Sequence, residues 1–205
     1  MLSSAGDCRN ICRQMESTFE ANKILAGVQN WVDSFVVDMN LCPFAKTELT
    51  RNRVRFVVSA ANSELLLLAA LQAELELLND DQSVETTLLI HPGILRDFDA
   101  YNQFLNYAEA LIKQMALEGI YQIASFHPDY RFEGSDPAAA ENYTNRSPYP
   151  MLHLLREESL ERAIASYPEV EQIPRRNIEL MRRLGKTELL KFGRASLLES
   201  AKGQS

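Results

Sequence analysis

The sequence predicts an α/β domain, with α+β as the alternative, in which helices pack on a four-stranded mixed sheet. Two consecutive strand-helix-strand units lie between residues 53 and 126, and a fourth apolar run follows a long irregular segment. Units of this length favour parallel strands joined by right-handed crossovers. Because the strand order stays open, a ferredoxin-like sandwich and a small layered sheet both fit. At 205 residues and 46% hydrophobic, the chain can bury a core without disulfides or metal.

A helix is predicted over 24–39, before the first strand. Apolar residues recur there at helical spacing and mark one face that would join the core. The helix ends near Asn40, because Cys42 precedes a proline and the residue before a proline avoids the helical conformation. Cys42 is therefore expected in a turn.

The first strand-helix-strand unit begins with a half-buried strand at 53–58, where polar and apolar residues alternate. The leucine-rich segment 65–78 follows as a helix, and Asn62 or Ser63 can supply its N-cap. A polar turn separates this helix from the second strand at 86–90. That strand ends at the sequence His-Pro-Gly, which cannot continue it.

The second unit shares its first strand with the unit before it. Asp97 caps a helix that runs to about residue 115, and Gly119 closes it. Residues 120–126 form the third strand, which again ends at His-Pro. The two units together give the parallel part of the predicted sheet.

The segment 128–149 is the least regular part of the chain. It is rich in Pro, Asp, Asn and Gly but also carries Tyr and Phe, which argues against disorder. A loop of this length inside a compact domain is usually functional. A fourth strand at 151–156, a helix from 159 to 167 and a last helix over 173–185 complete the prediction.

The domain organisation follows from where these patterns begin and end. Residues 21–185 are predicted to form a single globular α/β domain. Residues 1–20 form a poorly patterned N-terminal segment, in which Cys8 and Cys12 have no His or further Cys nearby to complete a metal site. Residues 186–205 are polar and weakly amphipathic, as is typical of a C-terminal tail.

Composition argues against several classes of partner. The net charge is −7 and Lys and Arg form no basic stripe, so nucleic acid is not expected. No apolar run approaches the roughly 20 residues that span a bilayer, and the first residues lack the apolar core of a signal peptide. We therefore expect a cytoplasmic protein without membrane contact, whose three cysteines stay reduced. A homo-oligomer is left open.

Two of the three histidines directly follow predicted strands. His91 and His127 each stand after a strand and before a proline. If the strands are parallel, both imidazoles lie at the carboxyl edge of the sheet, where open α/β sheets bind ligands. We predict that they act as acid/base groups. Asp129 is close enough in sequence to orient His127, to bind a metal beside it or only to start the turn. The alternative is that each His-Pro pair only ends its strand.

A divalent metal is the cofactor that these residues would suit. His153 lies in the fourth strand, and beside the third strand it would complete a three-histidine site of the catalytic zinc type with His91 and His127. A hydrogen-bonded core histidine is the competing interpretation of His153. No dinucleotide or phosphate-loop motif is present, so no nucleotide cofactor is expected.

Cys42 is a candidate nucleophile. Its expected turn position would leave it partly exposed, and Lys46 nearby favours the thiolate. The base would come from a histidine that is distant in sequence but near in space. A buried structural cysteine is the alternative.

Polar residues of the long loop and the following strand are predicted to bind the substrate. Arg146 is surrounded by Asn, Thr, Ser and Tyr, and its guanidinium can bind a carboxylate or phosphate through two hydrogen bonds. The predicted binding set is Asn142, Tyr143, Asn145, Arg146 and Arg156. In the alternative, Arg146 holds the loop in place through Glu133, Asp136 or Glu141.

Five segments of the chain together resemble a bacterial family of uncharacterised proteins, domain of unknown function 1415. The segments are WVDSFVVDMNLCPFAK (31–46), ETTLLIHP (85–92), YNQFLNYAEALI (101–112), SFHPDYRFEG (125–134) and ENYTNRSPYPMLHLLREESLERAI (141–164). The resemblance runs from about Ile24 to Gly185. The family has no assigned function, so the resemblance implies only that the candidate residues fall inside its signature segments.

These residues predict a small enzyme that acts on an anionic small molecule by hydrolysis or group transfer, with or without a metal. Redox chemistry fits less well, because the dinucleotide fingerprint is missing. The alternative is a non-catalytic small-molecule-binding or regulatory module that uses the same pocket.

Overall fold

The computed structural model describes the backbone of residues 4–202 and the side chains of residues 18–192. All four predicted strands are confirmed to within one residue at either end. The elements are α1 (Ser4–Trp31), a π-helical turn (Val32–Val37), α2 (Ala45–Thr50), β1 (Val54–Val58), α3 (Glu64–Asp80), β2 (Thr86–Ile90), α4 (Phe98–Gln114), β3 (Tyr121–Phe126), a 3₁₀ turn (Ala140–Thr144), β4 (Met151–Arg156), α5 (Glu157–Ser166), a second 3₁₀ turn (Val170–Gln172) and α6 (Ile173–Lys202).

Side-chain caps fix the starts of the two helices that connect the parallel strands. The Ser63 hydroxyl accepts a hydrogen bond from the Leu66 N–H, so Ser63 rather than Asn62 caps α3. The Asp97 carboxylate accepts from the Ala100 N–H at 2.9 Å and caps α4, as predicted. Local sequence therefore determines where both crossover helices begin.

The four described strands form one mixed sheet in the order β1-β2-β4-β3. β1 and β2 are parallel neighbours, while β4 runs antiparallel to both β2 and β3. β3 thus runs in the same direction as β1 and β2 but is separated from β2 by the returning β4. The register places His153 of β4 opposite Leu88 on one side and Ala124 on the other.

Helices cover both faces of the sheet. The first core lies between the sheet and helices α3 and α4, and includes Leu89 and Leu152 from the strands. The second core lies on the opposite face and joins strand residues such as Leu88 and Met151 to α1 and α6. Neighbouring strand residues point to opposite faces, which explains this division. The small layered sheet is therefore the alternative that the structure adopts, and the ferredoxin-like sandwich does not fit.

Residues after 185, which were predicted to form a tail, pack against the domain. Helix α6 changes direction at Gly185, whose φ of 72° suits glycine, and then continues. Leu189 is 1% exposed in the second core, and the Phe192 ring lies 5.1 Å from that of Phe35. At least these residues of the segment after 185 are thus part of the folded unit.

At the other end of the chain, α1 begins at Ser4, within the segment predicted to be poorly patterned. The side chains of Cys8 and Cys12 lie outside the described residues. Within the part of the chain that the structure describes, no helix is both long enough and apolar enough to cross a membrane.

Candidate functional site

The predicted histidine pair lies at one edge of the sheet, but it is sealed inside the protein. His91 and His127 follow the carboxyl ends of β2 and β3, and both are 0% exposed. The Tyr101 ring contacts both imidazoles, with centroid distances of 5.8 Å to His91 and 5.1 Å to His127. The strand directions therefore bring the two histidines together, as the sequence predicted, without giving either of them access to a ligand.

Backbone groups occupy both ring nitrogens of His127. Nε2 donates to the Leu95 carbonyl oxygen at 3.1 Å, and Nδ1 accepts from the Asp129 N–H at 3.0 Å. Asp129 thus contacts His127 through its backbone, while its side chain is exposed. Burial lowers the pKa of His127, which keeps the ring neutral. In this conformation the ring is a structural hydrogen-bonding group.

His91 is bound in a similar way but has one free nitrogen. Nδ1 donates to the Ile94 carbonyl oxygen at 3.2 Å, whereas Nε2 is buried and has no hydrogen-bond partner among the described residues. Burial lowers the pKa of His91 to about 4. A catalytic role for this pair would require the 91–95 loop to open first.

The two arginines predicted to bind substrate both donate hydrogen bonds to carbonyl oxygens of loops. Arg146 donates to the carbonyl oxygens of Tyr130 (3.1 Å) and Pro137 (2.7 Å), and its guanidinium stacks 4.5 Å from the Tyr143 ring. The alternative of loop fixation therefore describes this geometry, although the partners are backbone carbonyls and not the predicted carboxylates. Arg156 likewise donates to the Val84 carbonyl at 3.0 Å and to the Tyr121 hydroxyl at 2.8 Å.

The two asparagines predicted to bind substrate also organise the long loop. Asn142 is 0% exposed; its Oδ1 accepts from the Phe132 N–H, and its Nδ2 donates to the Asp136 carbonyl. Asn145 donates to the Ser125 carbonyl at 3.2 Å. Their polar groups are directed into the loop itself. These contacts explain why 128–149 is ordered in spite of its irregular backbone.

A large cavity lies elsewhere, on the same face of the sheet as the second core. Its volume is about 630 Å³, within the range of small-molecule sites. The strands form its floor, the turn before α2 and α2 itself form one wall, and α5 forms the opposite wall. Its lining is largely apolar and includes Trp31, Val32, Val36, Leu49, Leu88, Ala124, Phe126, Leu155, Leu160 and Ala163.

His153 lies on the floor of this cavity, and its hydrogen bonds define its protonation. The Thr86 hydroxyl lies 2.5 Å from the Leu154 carbonyl oxygen, which can only accept, so the hydroxyl proton is donated there. Thr86 must then accept from His153 Nε2, 2.8 Å away, and Nε2 carries the ring proton. Burial lowers the pKa of His153 to about 4, so the ring is neutral and Nδ1 is an unprotonated acceptor.

The second nitrogen of His153 is available to a ligand. Nδ1 has no hydrogen-bond partner within residues 18–192, yet it is not among the fully buried polar atoms, and His153 lines the cavity. The interpretation of His153 as a core histidine thus holds for Nε2 only. Nδ1 offers a lone pair at the floor of a largely apolar cavity.

The three histidines do not form the predicted metal site. Although β4 lies beside β3, His153 points to the cavity from the middle of the sheet, while His91 and His127 lie beyond the strand ends and contact Tyr101 of the first core. Among the described residues, no group of three His, Cys, Asp or Glu side chains could hold a metal ion. Successive side chains of a strand point to opposite faces, which explains why His153 faces the cavity while His91 and His127 face the first core.

Cys42 is a wall residue of the cavity and a free, partly exposed thiol. The preceding π-helical turn contributes Val32 and Val36 to the lining of the cavity, and Asn40, which lies between this turn and Cys42, has a φ of 54°. Single π-helical turns are frequent at functional sites, and a left-handed non-glycine residue stores backbone strain. Cys42 lies in the bend between the π-helical turn and α2, so the predicted turn is confirmed, and this bend borders the cavity.

Charged side chains also line the cavity, and one of them is Arg156, which the sequence predicted to bind substrate. Arg53 forms ion pairs with Glu85 at 2.5 Å and Glu48 at 3.3 Å. Arg51 and Arg162, on opposite walls, are the most exposed of the lining cations for which ion pairs are described. A smaller cleft of about 470 Å³ along residues 167–179 is lined mostly by polar side chains, none of which is a histidine.

The chain matches the family described as Protein of unknown function (DUF1415) over residues 23–191. It belongs to this family. No curated protein and no solved structure matches the chain. The range matched by DUF1415 includes every residue that lines the cavity, as well as His91 and His127.

Sequence analysis missed the partners that make His153 available. Thr86 and Phe126 lie on two other strands, and Trp31 lies on α1, so no local pattern joins them to His153. The strand register brings Thr86 within reach of the ring. The range matched by DUF1415 contains Trp31, Thr86, Phe126 and His153, but their positions along the chain do not indicate that they lie close together.

Proposed function

We propose that this protein binds a small, largely apolar molecule in the 630 Å³ cavity, and that His153 Nδ1 accepts a hydrogen bond from it. The observation that carries the proposal is the unpaired lone pair of a neutral histidine on an apolar floor. Such sites typically combine a hydrophobic lining with a few polar groups that fix the ligand's orientation. Sequence analysis gave a small-molecule-binding module as its alternative prediction; here the pocket is the one beside His153 and not the one expected at His91 and His127.

The single tryptophan of the chain provides a direct test, because Trp31 lines the cavity. The probe is 1-anilinonaphthalene-8-sulfonate, which combines aromatic rings with one N–H donor. We expect saturable quenching of Trp31 emission with a stoichiometry of one. His153→Phe, which keeps a ring but removes the acceptor, should weaken binding about two- to tenfold, as for one neutral hydrogen bond.

A matched pair of variants tests whether the probe binds in this cavity. Ala163→Phe fills the cavity from α5, whereas Ala165 is exposed on the same helix and does not line the cavity. We expect the probe to bind the Ala165→Phe protein normally and the Ala163→Phe protein poorly. Equal binding to the two variants would contradict the proposal, since the probe would then lie elsewhere.

The second candidate is the enzyme predicted from sequence, moved to this cavity. Two observations favour it: Cys42 and His153 line the same space, and Arg51 and Arg162 lie on its walls, where they would hold an acid group. In group transfer, the Cys42 sulfur would attack an ester carbonyl while His153 Nδ1 takes the thiol proton. The ester C–O bond would then break, the leaving alcohol or phenol would take that proton, and the acyl group would stay on Cys42 until water or a second alcohol removes it. A cytoplasmic location remains our prediction from the cysteine content.

An aryl ester distinguishes this enzyme from a binding module. With p-nitrophenyl acetate, nucleophilic catalysis would release one p-nitrophenolate per protein in a burst and leave an acetyl group on Cys42, detectable by mass spectrometry. Cys42→Ser should abolish the burst. Release of p-nitrophenolate that is unaffected by Cys42→Ser would rule this candidate out.

A further inference from the structure

We infer that the part of the ligand that lies against His153 is an aromatic ring carrying a hydrogen-bond donor, such as a phenol or an indole. This inference rests on the proposed function and specifies its ligand class. It depends on the rings that line the cavity and on the state of His153.

Aromatic side chains form two groups in the cavity. In the inner group, the Trp31 and Phe126 rings meet edge-to-face at 5.6 Å, and the Phe126 ring lies 6.1 Å from the His153 imidazole. In the outer group, the Phe44 and Tyr167 rings meet edge-to-face at 5.6 Å and join the α2 wall to the α5 wall. All five rings line the cavity.

Such a lining favours an aromatic ligand over an aliphatic one of the same size. Ring faces carry partial negative charge and ring edges partial positive charge, so aromatic pairs gain from offset or edge-to-face contact beyond the area that they bury. The gain for one pair corresponds to about two- to tenfold in affinity. A ligand ring in the inner group would contact Phe126, which is partly exposed, beside the nearly buried Trp31.

The acceptor beside this group defines the second requirement. His153 Nδ1 is an unprotonated nitrogen, because the ring proton is on Nε2, which donates a hydrogen bond to Thr86. A lone pair repels a carboxylate or ether oxygen and attracts an O–H or N–H. A donor attached directly to an aromatic ring satisfies Nδ1 while the ring itself stays among the apolar residues.

Three naphthalene derivatives of nearly equal size separate the two requirements. 2-Naphthol has the ring and the donor, 2-methoxynaphthalene lacks the donor, and decahydro-2-naphthol lacks the aromaticity. Isothermal titration calorimetry should show 2-naphthol binding about tenfold more tightly than either analogue. In His153→Phe, the advantage of 2-naphthol over 2-methoxynaphthalene should disappear, whereas its advantage over decahydro-2-naphthol should remain. Ala165→Phe serves as the unperturbed control.

The outcomes distinguish this inference from the proposed function. If decahydro-2-naphthol binds as tightly as 2-naphthol, the aromatic requirement is wrong while binding in the cavity stands. If 2-methoxynaphthalene binds as tightly as 2-naphthol, the donor requirement is wrong. If none of the three binds but the anilinonaphthalene probe still depends on Ala163, the inference alone is overturned. Loss of that dependence overturns the proposed function.

Discussion

Acidification should destabilise this protein well above the pH at which its carboxylates begin to protonate. His91 and His153 are neutral in the folded state, and burial lowers the pKa of each to about 4. In the unfolded chain both have the ordinary histidine pKa of about 6.5. Between these two values the unfolded state binds more protons than the folded state, so stability falls as the pH falls from 6.5 towards 4.

The size of this effect follows from the two pKa values. At pH 8 both states are unprotonated and the histidines contribute nothing to the pH dependence. At pH 5 each buried histidine lowers the free energy of unfolding by about 2 kcal/mol, and the pair by about 4 kcal/mol. The lowered pKa of His127 acts in the same direction. This loss is a large fraction of the roughly 5–15 kcal/mol that typically stabilises a domain.

Urea denaturation at pH 8, 7, 6 and 5 measures this dependence, with Trp31 fluorescence and circular dichroism as probes. Trp31 is 2% exposed and should report global unfolding. The His153→Phe variant should lose about half of the pH dependence, because one of the two most strongly shifted groups is gone. A wild-type free energy of unfolding that changes by less than about 1 kcal/mol between pH 8 and pH 5 would contradict this prediction, since neither histidine would then keep its lowered pKa in the folded state.

Three substitutions test the structural roles, each by urea denaturation at pH 8. Asn142→Ala removes three side-chain hydrogen bonds inside the long loop and should cost about 3 kcal/mol; a cost below about 1 kcal/mol would mean that the loop does not depend on it. Arg156→Lys should cost about 1–2 kcal/mol, because an ammonium cannot reach all the oxygens that the guanidinium binds, and an unchanged midpoint would contradict this. Leu189→Ala should cost about 2–5 kcal/mol and Leu190→Ala, at a 40% exposed position, less than about 1 kcal/mol; equal costs would place residue 189 outside the core.

The strands and helix caps could be predicted because their signals are local. Alternation within 53–58, the apolar run 86–90 and the hydroxyl of Ser63 each act over a few residues. The position of β4 could not be predicted in the same way. The long loop begins and ends at the same edge of the sheet, where Phe126 of β3 lies opposite Met151 of β4, and nothing in the sequence of 151–156 specifies that β4 lies between β2 and β3.

The meeting of His91 and His127 at one edge was predictable, since it follows from two strands with the same direction. Their burial was not. It results from the 91–95 loop, whose carbonyl groups bind both rings, and from Tyr101, which packs between them. Contacts of this kind depend on tertiary packing, so a residue at the expected edge of a sheet can still be inaccessible.

Hydrogen bonding distinguishes His91 and His127 from His153. A neutral imidazole has one donor and one acceptor, and a histidine is available for chemistry when the protein satisfies only one of them in an accessible place. Both nitrogens of His127 bind backbone groups, and the free nitrogen of His91 is buried. His153 alone among the three keeps a free nitrogen that lines an open cavity. Because Thr86 donates its single proton to the Leu154 carbonyl, His153 Nε2 must donate to Thr86, and the free Nδ1 is an acceptor. One hydroxyl on a neighbouring strand therefore decides that His153 can meet a donor group of a ligand and not an acceptor group.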